Sequence, residues 1–176
     1  KSPTEGHRLA IDQLFRPGYE TAKAVNPRAL VVGPDEDSYE SLEEFLRLEE
    51  EGIARGESPL WDVISIHLYG KSWPLSGEPA DTAVFPYDIA WIFKHRFAPI
   101  LDRYGRGREV WITEFGFPND SLADAKEADA EQAKRLAVAL RFFWSETEKD
   151  RHGLWRLTKF FVYRLTDGQH AGRELP

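Results

Sequence analysis

The chain has 176 residues, 41% of them hydrophobic and 13% aromatic, with a formal charge of −7 and neither cysteine nor methionine. That length and apolar content suit one folded domain over residues 1–176 and exclude a disordered chain. The acidic balance argues against a nucleic-acid partner, no apolar run approaches a membrane span, and without cysteine there is no disulfide, thiolate metal site or thiol nucleophile. Lacking methionine, the chain does not carry its own start residue, so we expect a processed product or a piece of something longer. Nothing in it distinguishes an extracellular from a cytoplasmic location.

One rhythm repeats four times, an amphipathic helix followed by a short apolar strand. The first helix is expected over about residues 7–25, with Leu9, Leu14, Phe15, Tyr19, Ala22 and Val25 on or near one face. Pro17 and Gly18 should kink or interrupt it, and Asn26-Pro27 should end it. "ALVVGP" is then a strand. The second helix, about 39–51, sets Leu42, Phe45, Leu46 and Ile53 at helical spacing, its glutamates forming a solvated face. "WDVISIHLYG" is the second strand, followed by the long loop "KSWPLSGEPADTAVFP". A third helix begins near Pro86, with Ile89, Phe93, Phe97, Ile100, Leu101 and Tyr104 as its apolar stripe. Gly105 and Gly107 release it into "EVWITEFG", the third strand. The last helix, about 128–149, turns Ala133, Leu136, Ala137, Leu140, Phe143 and Trp144 inward, and "KFFVYRL" is the fourth strand.

Alternating helices and strands predict an α/β fold with a parallel sheet, and nearly continuous apolar strands predict a sheet covered on both faces. Two architectures fit: an open doubly wound sheet, or part of a TIM (β/α)8 barrel. A complete barrel takes about 250 residues, and only four strands are present here.

Side chains alternate along a strand. Ser65, His67 and Tyr69 therefore share one face of the second strand, and Val110, Ile112 and Glu114 one face of the third. His67, Tyr69 and Glu114 stand at the C-terminal ends of their strands, where α/β sheets and barrels build their sites. Asp35, Glu36 and Asp37 follow the first strand near the same rim, and Tyr163, Arg164 and Asp167 follow the fourth. Each has a plainer role. Asp35–Asp37 suit a helix N-terminus or a turn, Asp167-Gly168 is a turn signal, and His67 or Tyr69 alone is a structural residue. What favours a site is their conjunction: a carboxylate among aromatics needs donors to stay charged, and Tyr69 is placed to be one.

"WITEFGF" at the end of one strand, with "ISIHLYG" on the strand before it, resembles the retaining glycoside hydrolases of the large (β/α)8 superfamily often called clan A, in its xylosidase, iduronidase and cellulase-like branch. "NPRALVVGP" resembles the fifth strand of such barrels. The resemblance implies a parallel-stranded half barrel, strands five to eight with their helices, acting on O-glycosyl bonds without a cofactor. It implies that Glu114 is the nucleophile, that Tyr69 orients it, and that His67 contacts the sugar or the carboxylates. Trp73, in the loop after the second strand, is in position to stack on a sugar or simply to pack.

Two features depart from the family pattern. Its acid/base, a glutamate after asparagine at the end of strand four, has no counterpart, because the chain contains no Asn-Glu pair; Glu36 lies one strand away. Val162 stands where a tryptophan usually floors the sugar site, with Tyr163 beside it. We therefore expect a fragment inactive alone, whose open edges and interior call for a missing N-terminal half barrel or self-association, with an oligosaccharide or glycoside as substrate. Two other readings are carried forward: a non-catalytic sugar-binding or scaffold fragment, and a metal-dependent barrel hydrolase or isomerase using His67, Glu114 and an aspartate from 35–37. A nucleotide-binding fold is disfavoured, since no strand leads into a glycine-rich phosphate loop.

Overall fold

The computed structural model describes residues 3–69, 89–117, 125–149 and 151–163. Trp73, Pro86, Arg164 and Asp167 lie outside these residues. The protein is α/β, with strands β1 (Val32–Glu36), β2 (Val63–Tyr69), β3 (Arg108–Gly116) and β4 (Trp155–Val162). They form one sheet in the order β1-β2-β3-β4, every pair parallel. A doubly wound sheet reverses its strand order at a switch point; these strands run in sequence order without reversal.

Each strand is preceded by its helix. The first helix runs Pro3–Ala10, Ile11–Phe15 and Arg16–Val25, the middle stretch being a π-helical turn. Instead of breaking at Pro17, the helix widens just before it, with the Arg16 N–H donating to the Ile11 carbonyl. The third helix repeats the device. Ile89–Ile92 and Ala98–Tyr104 flank a π-helical turn, Phe93–Phe97, and Pro99 follows it. A proline has no N–H to return and its ring crowds the preceding turn, so a wider turn ahead of it keeps the helix continuous. The second helix, Tyr39–Ala54, starts at Ser38, whose hydroxyl accepts from the Ser41 N–H at 3.3 Å.

The core lies between these helices and one face of the sheet. Ile64, Ile66, Leu68, Val110, Ile112, Phe115 and Leu157 meet Leu42, Phe45 and Leu46 of the second helix and the whole expected stripe of the third. Trp61 is buried against Phe15 and Phe45. Trp155 opens β4, its indole N–H donating to Asp102 at 2.7 Å. Gly105 is required here, since a Cβ would stand 2.6 Å from the Leu101 carbonyl oxygen and 2.7 Å from that of Leu154.

Several expectations are corrected. Leu9, Leu14 and Val25 are exposed, the first helix burying Ile11 instead. In the last helix (Ala125–Thr147), Ala139 and Phe143 are buried, whereas Ala133, Ala137, Leu140 and Trp144 are exposed. That helix carries two apolar stripes, and packing on the third helix selects one. β4 begins at Trp155, earlier than "KFFVYRL", because Trp155 and Leu157 alternate with polar residues. Glu49, expected on the solvated face of the second helix, is buried, as is Glu146 of the last helix. Glu49 accepts from Arg108 Nη1 at 2.8 and 3.1 Å and from the Leu60 N–H at 2.9 Å. Glu146 is paired with Lys149 and Arg151. The face of the sheet away from the helices is not aliphatic; Glu109, Trp111, Arg156 and Lys159 occupy it at the N-terminal ends of β3 and β4.

Candidate functional site at the C-terminal rim

Strict alternation along β3 would put Glu114 on the same side as Val110 and Ile112, both buried under the helices. A β-bulge prevents this. Ile66 pairs with Ile112, but the next partners are His67 and Glu114, so Thr113 is the extra residue. The added residue reverses the parity of the strand end. Glu114 thereby stands beside His67 and Tyr69 on the face away from the helices, and Phe115 returns to the core.

The Tyr69 hydroxyl donates to Glu114 Oε2. His67 Nδ1 lies 3.7 Å from the same oxygen, and the ring of Tyr163 stands edge-on to that of Tyr69 at 6.0 Å. Burial raises the pKa of Tyr69 well above its ordinary value, and the hydrogen bond and charge of Glu114 raise it further. Tyr69 is thus held as a donor throughout the physiological range. Glu114 keeps 31% of its side chain exposed, so lone pairs not engaged by Tyr69 face the rim.

A second carboxylate reaches this cluster, and it is not the one expected. Glu36 pairs with Ile66 and lies with it on the helix side, where burial raises its pKa and His7 opposes the rise. Asp35, left unpaired by a register shift between Pro34 and Glu36, takes a left-handed backbone at φ +63°. Its carboxylate crosses above β2 to accept from Thr113 Oγ1 of β3 at 2.9 Å. The Asp35 N–H donates to Ser65 Oγ at 3.1 Å, fixing the bulge. His67 lies between the two acids, its Nε2 3.7 Å from Asp35 Oδ1. The only signal for this in the sequence is aspartate itself, one of the few residues that tolerate the left-handed conformation. Thr113 had no signal, because a bulge leaves no mark in a single sequence.

The structure therefore brings His67, Tyr69, Tyr163 and Glu114 to one rim, adds Asp35 and Thr113, and turns Glu36 away. Among the described residues, no group of three His, Cys, Asp or Glu side chains is gathered as a metal ion would require. No described helix is long and apolar enough to cross a membrane. Chemically, the rim offers one carboxylate steadied by a phenol, an acceptor in Asp35, an imidazole between them and an aromatic edge. Comparison with family models, curated proteins and solved structures finds no match to the chain.

Proposed function

We propose that the chain is the second half of a (β/α)8 barrel from a retaining glycoside hydrolase, with β1–β4 as strands five to eight and Glu114 as nucleophile. The observation that carries this reading is the Tyr69 hydroxyl on the Glu114 carboxylate, at the C-terminal ends of adjacent parallel strands. The uninterrupted strand order supports the barrel over a doubly wound sheet.

In this mechanism Glu114 Oε attacks the anomeric carbon as the bond to the leaving oxygen breaks. The resulting glycosyl ester is then hydrolysed by water, which regenerates the carboxylate. Tyr69 holds one oxygen of Glu114 so that the other is free to attack. His67 and Asp35 offer a donor and an acceptor to sugar hydroxyls, and Tyr163 offers a ring face. The proton for the leaving group comes from a carboxylic acid elsewhere in the barrel, since no Asn-Glu pair occurs in the chain.

That same lack favours the rival reading, a sugar-binding half barrel without turnover. Glu114→Gln in the complete barrel separates the two. Hydrolysis of an aryl glycoside should disappear while the fold is retained; unchanged turnover would remove Glu114 as nucleophile.

A further inference from the structure

The exposed large hydrophobic residues are not scattered. Leu9, Leu14, Val25 and Leu30 lie on the first helix and its exit, whereas Leu140, Trp144, Leu154, Phe161 and Tyr163 lie on the last helix and around β4. Among the described residues, the second and third helices, flanked on both sides, contribute none. Apart from Tyr163 at the rim and Phe161 against Trp111 on the inner sheet face, the uncovered large apolar side chains among the described residues thus lie on the two flanks of the sheet, beside the outer edges of β1 and β4, which have no described strand partner.

The flanks complement each other. Both edges run in the same direction, since all pairs are parallel. On the first helix the exposed charges around Leu9 and Val25 include Glu5, Asp12 and Glu20, and Arg8, the cation beside Leu9, is paired with Glu51. On the last helix the exposed stripe Ala130, Ala133, Ala137, Leu140 and Trp144 is bordered by Lys134 and Arg141, with Glu148 one turn beyond Trp144. Each strand also brings its own helix ahead of it. Two copies related by a two-fold rotation about the sheet's cylinder axis supply the eight strands and eight helices of a closed barrel. At each seam β4 of one copy meets β1 of the other, and the first helix of the second copy covers the seam beside the last helix of the first.

We infer that this chain, on its own, pairs with a second copy of itself, first-helix flank against last-helix flank. The inference rests on the half-barrel reading of the fold and is independent of Glu114. Sedimentation velocity of the full chain at micromolar concentrations should give about twice the 20.2 kDa chain mass. Val25→Glu and Trp144→Glu alter residues 82% and 65% exposed, so the fold should survive, as circular dichroism would check. Each places a charge in the seam and should weaken the dimer roughly tenfold or more.

The orientation is testable because the chain has no cysteine. Val25→Cys and Trp144→Cys chains, mixed and oxidised, should cross-link with each other and not with their own kind. A monomer at every concentration, a dimer indifferent to both charges, or cross-links only between like chains would each overturn the inference. So would a chain that is monomeric alone and assembles only with a different β/α half; that result would leave the Glu114 reading standing.

Discussion

Two carboxylates meet the opposite ends of β3, and their surroundings differ in kind. At the N-terminal end, Glu49 is 2% exposed, and its oxygens are taken up by Arg108 and the Leu60 N–H. Arg108 is itself tied down, donating to the Tyr104 and Gly105 carbonyls. At the C-terminal end, Glu114 has a phenol for a partner and stays part-exposed. A buried acid matched by a cation and further hydrogen bonds is closed to anything else. One steadied by a neutral donor at a sheet rim keeps lone pairs for a ligand. The same residue type thus serves stability at one end of a strand and, in the proposed function, chemistry at the other.

Removing each acid in turn should separate the two roles. Glu114→Gln is expected to lower glycoside turnover by the complete barrel by several orders of magnitude. Its unfolding midpoint should hardly move, because Tyr69 can still donate to the amide oxygen. Glu49→Ala should do the reverse, costing about 3–5 kcal/mol by leaving the largely buried Arg108 without its counter-ion. Urea unfolding measures that cost, and a loss under 1 kcal/mol would mean that water reaches the guanidinium.

Tyr69→Phe comes next. A hydrogen bond to a charged acceptor is worth about 1.5–3 kcal/mol, so kcat/KM should fall roughly 10- to 150-fold. Stability near neutral pH should change less than in Glu49→Ala, and an unaltered kcat/KM would make Tyr69 a packing residue.

The smallest effect is a titration. The folded pKa of Tyr69 is raised, first by burial and then by Glu114, so the stability linked to its protonated form is fully present below the ordinary tyrosine value of about 10. That contribution is lost as pH rises through the higher folded value. Burial and Asp62 raise Tyr19 as well, so tyrosinate absorbance should show more than one late-titrating phenol, and the latest should disappear in Tyr69→Phe.

The same contrast explains what could be foreseen from sequence. The strand cores and the third-helix stripe were legible because each carries one unambiguous apolar period. The last helix was not, since Ala133, Ala137, Leu140 and Trp144 compete with Ala139 and Phe143 as an inward face, and only packing on the third helix decides. Glu49 reads as solvated because its cation, Arg108, comes from another element. At the rim, His67, Tyr69 and Glu114 were picked out as strand-end residues, but alternation alone would have sent Glu114 under the helices. The bulge at Thr113 turns it outward, and the bulge at Asp35 exchanges the expected Glu36 for its neighbour. Inserted residues change which side chains share a face while leaving composition and periodicity almost untouched, so both escaped a reading of single strands.

The most direct test of Glu114 is covalent trapping. A 2-deoxy-2-fluoro glycoside with a strongly activated leaving group needs a nucleophile but little acid catalysis, so the glycosyl ester accumulates. After proteolysis of the complete barrel, mass spectrometry should find the fluorosugar on the peptide spanning "EVWITEFGF", at Glu114, and not in the Glu114→Gln variant. A fluorosugar attached to another carboxylate, or turnover of the matching unfluorinated glycoside with no adduct on any residue, would contradict the account.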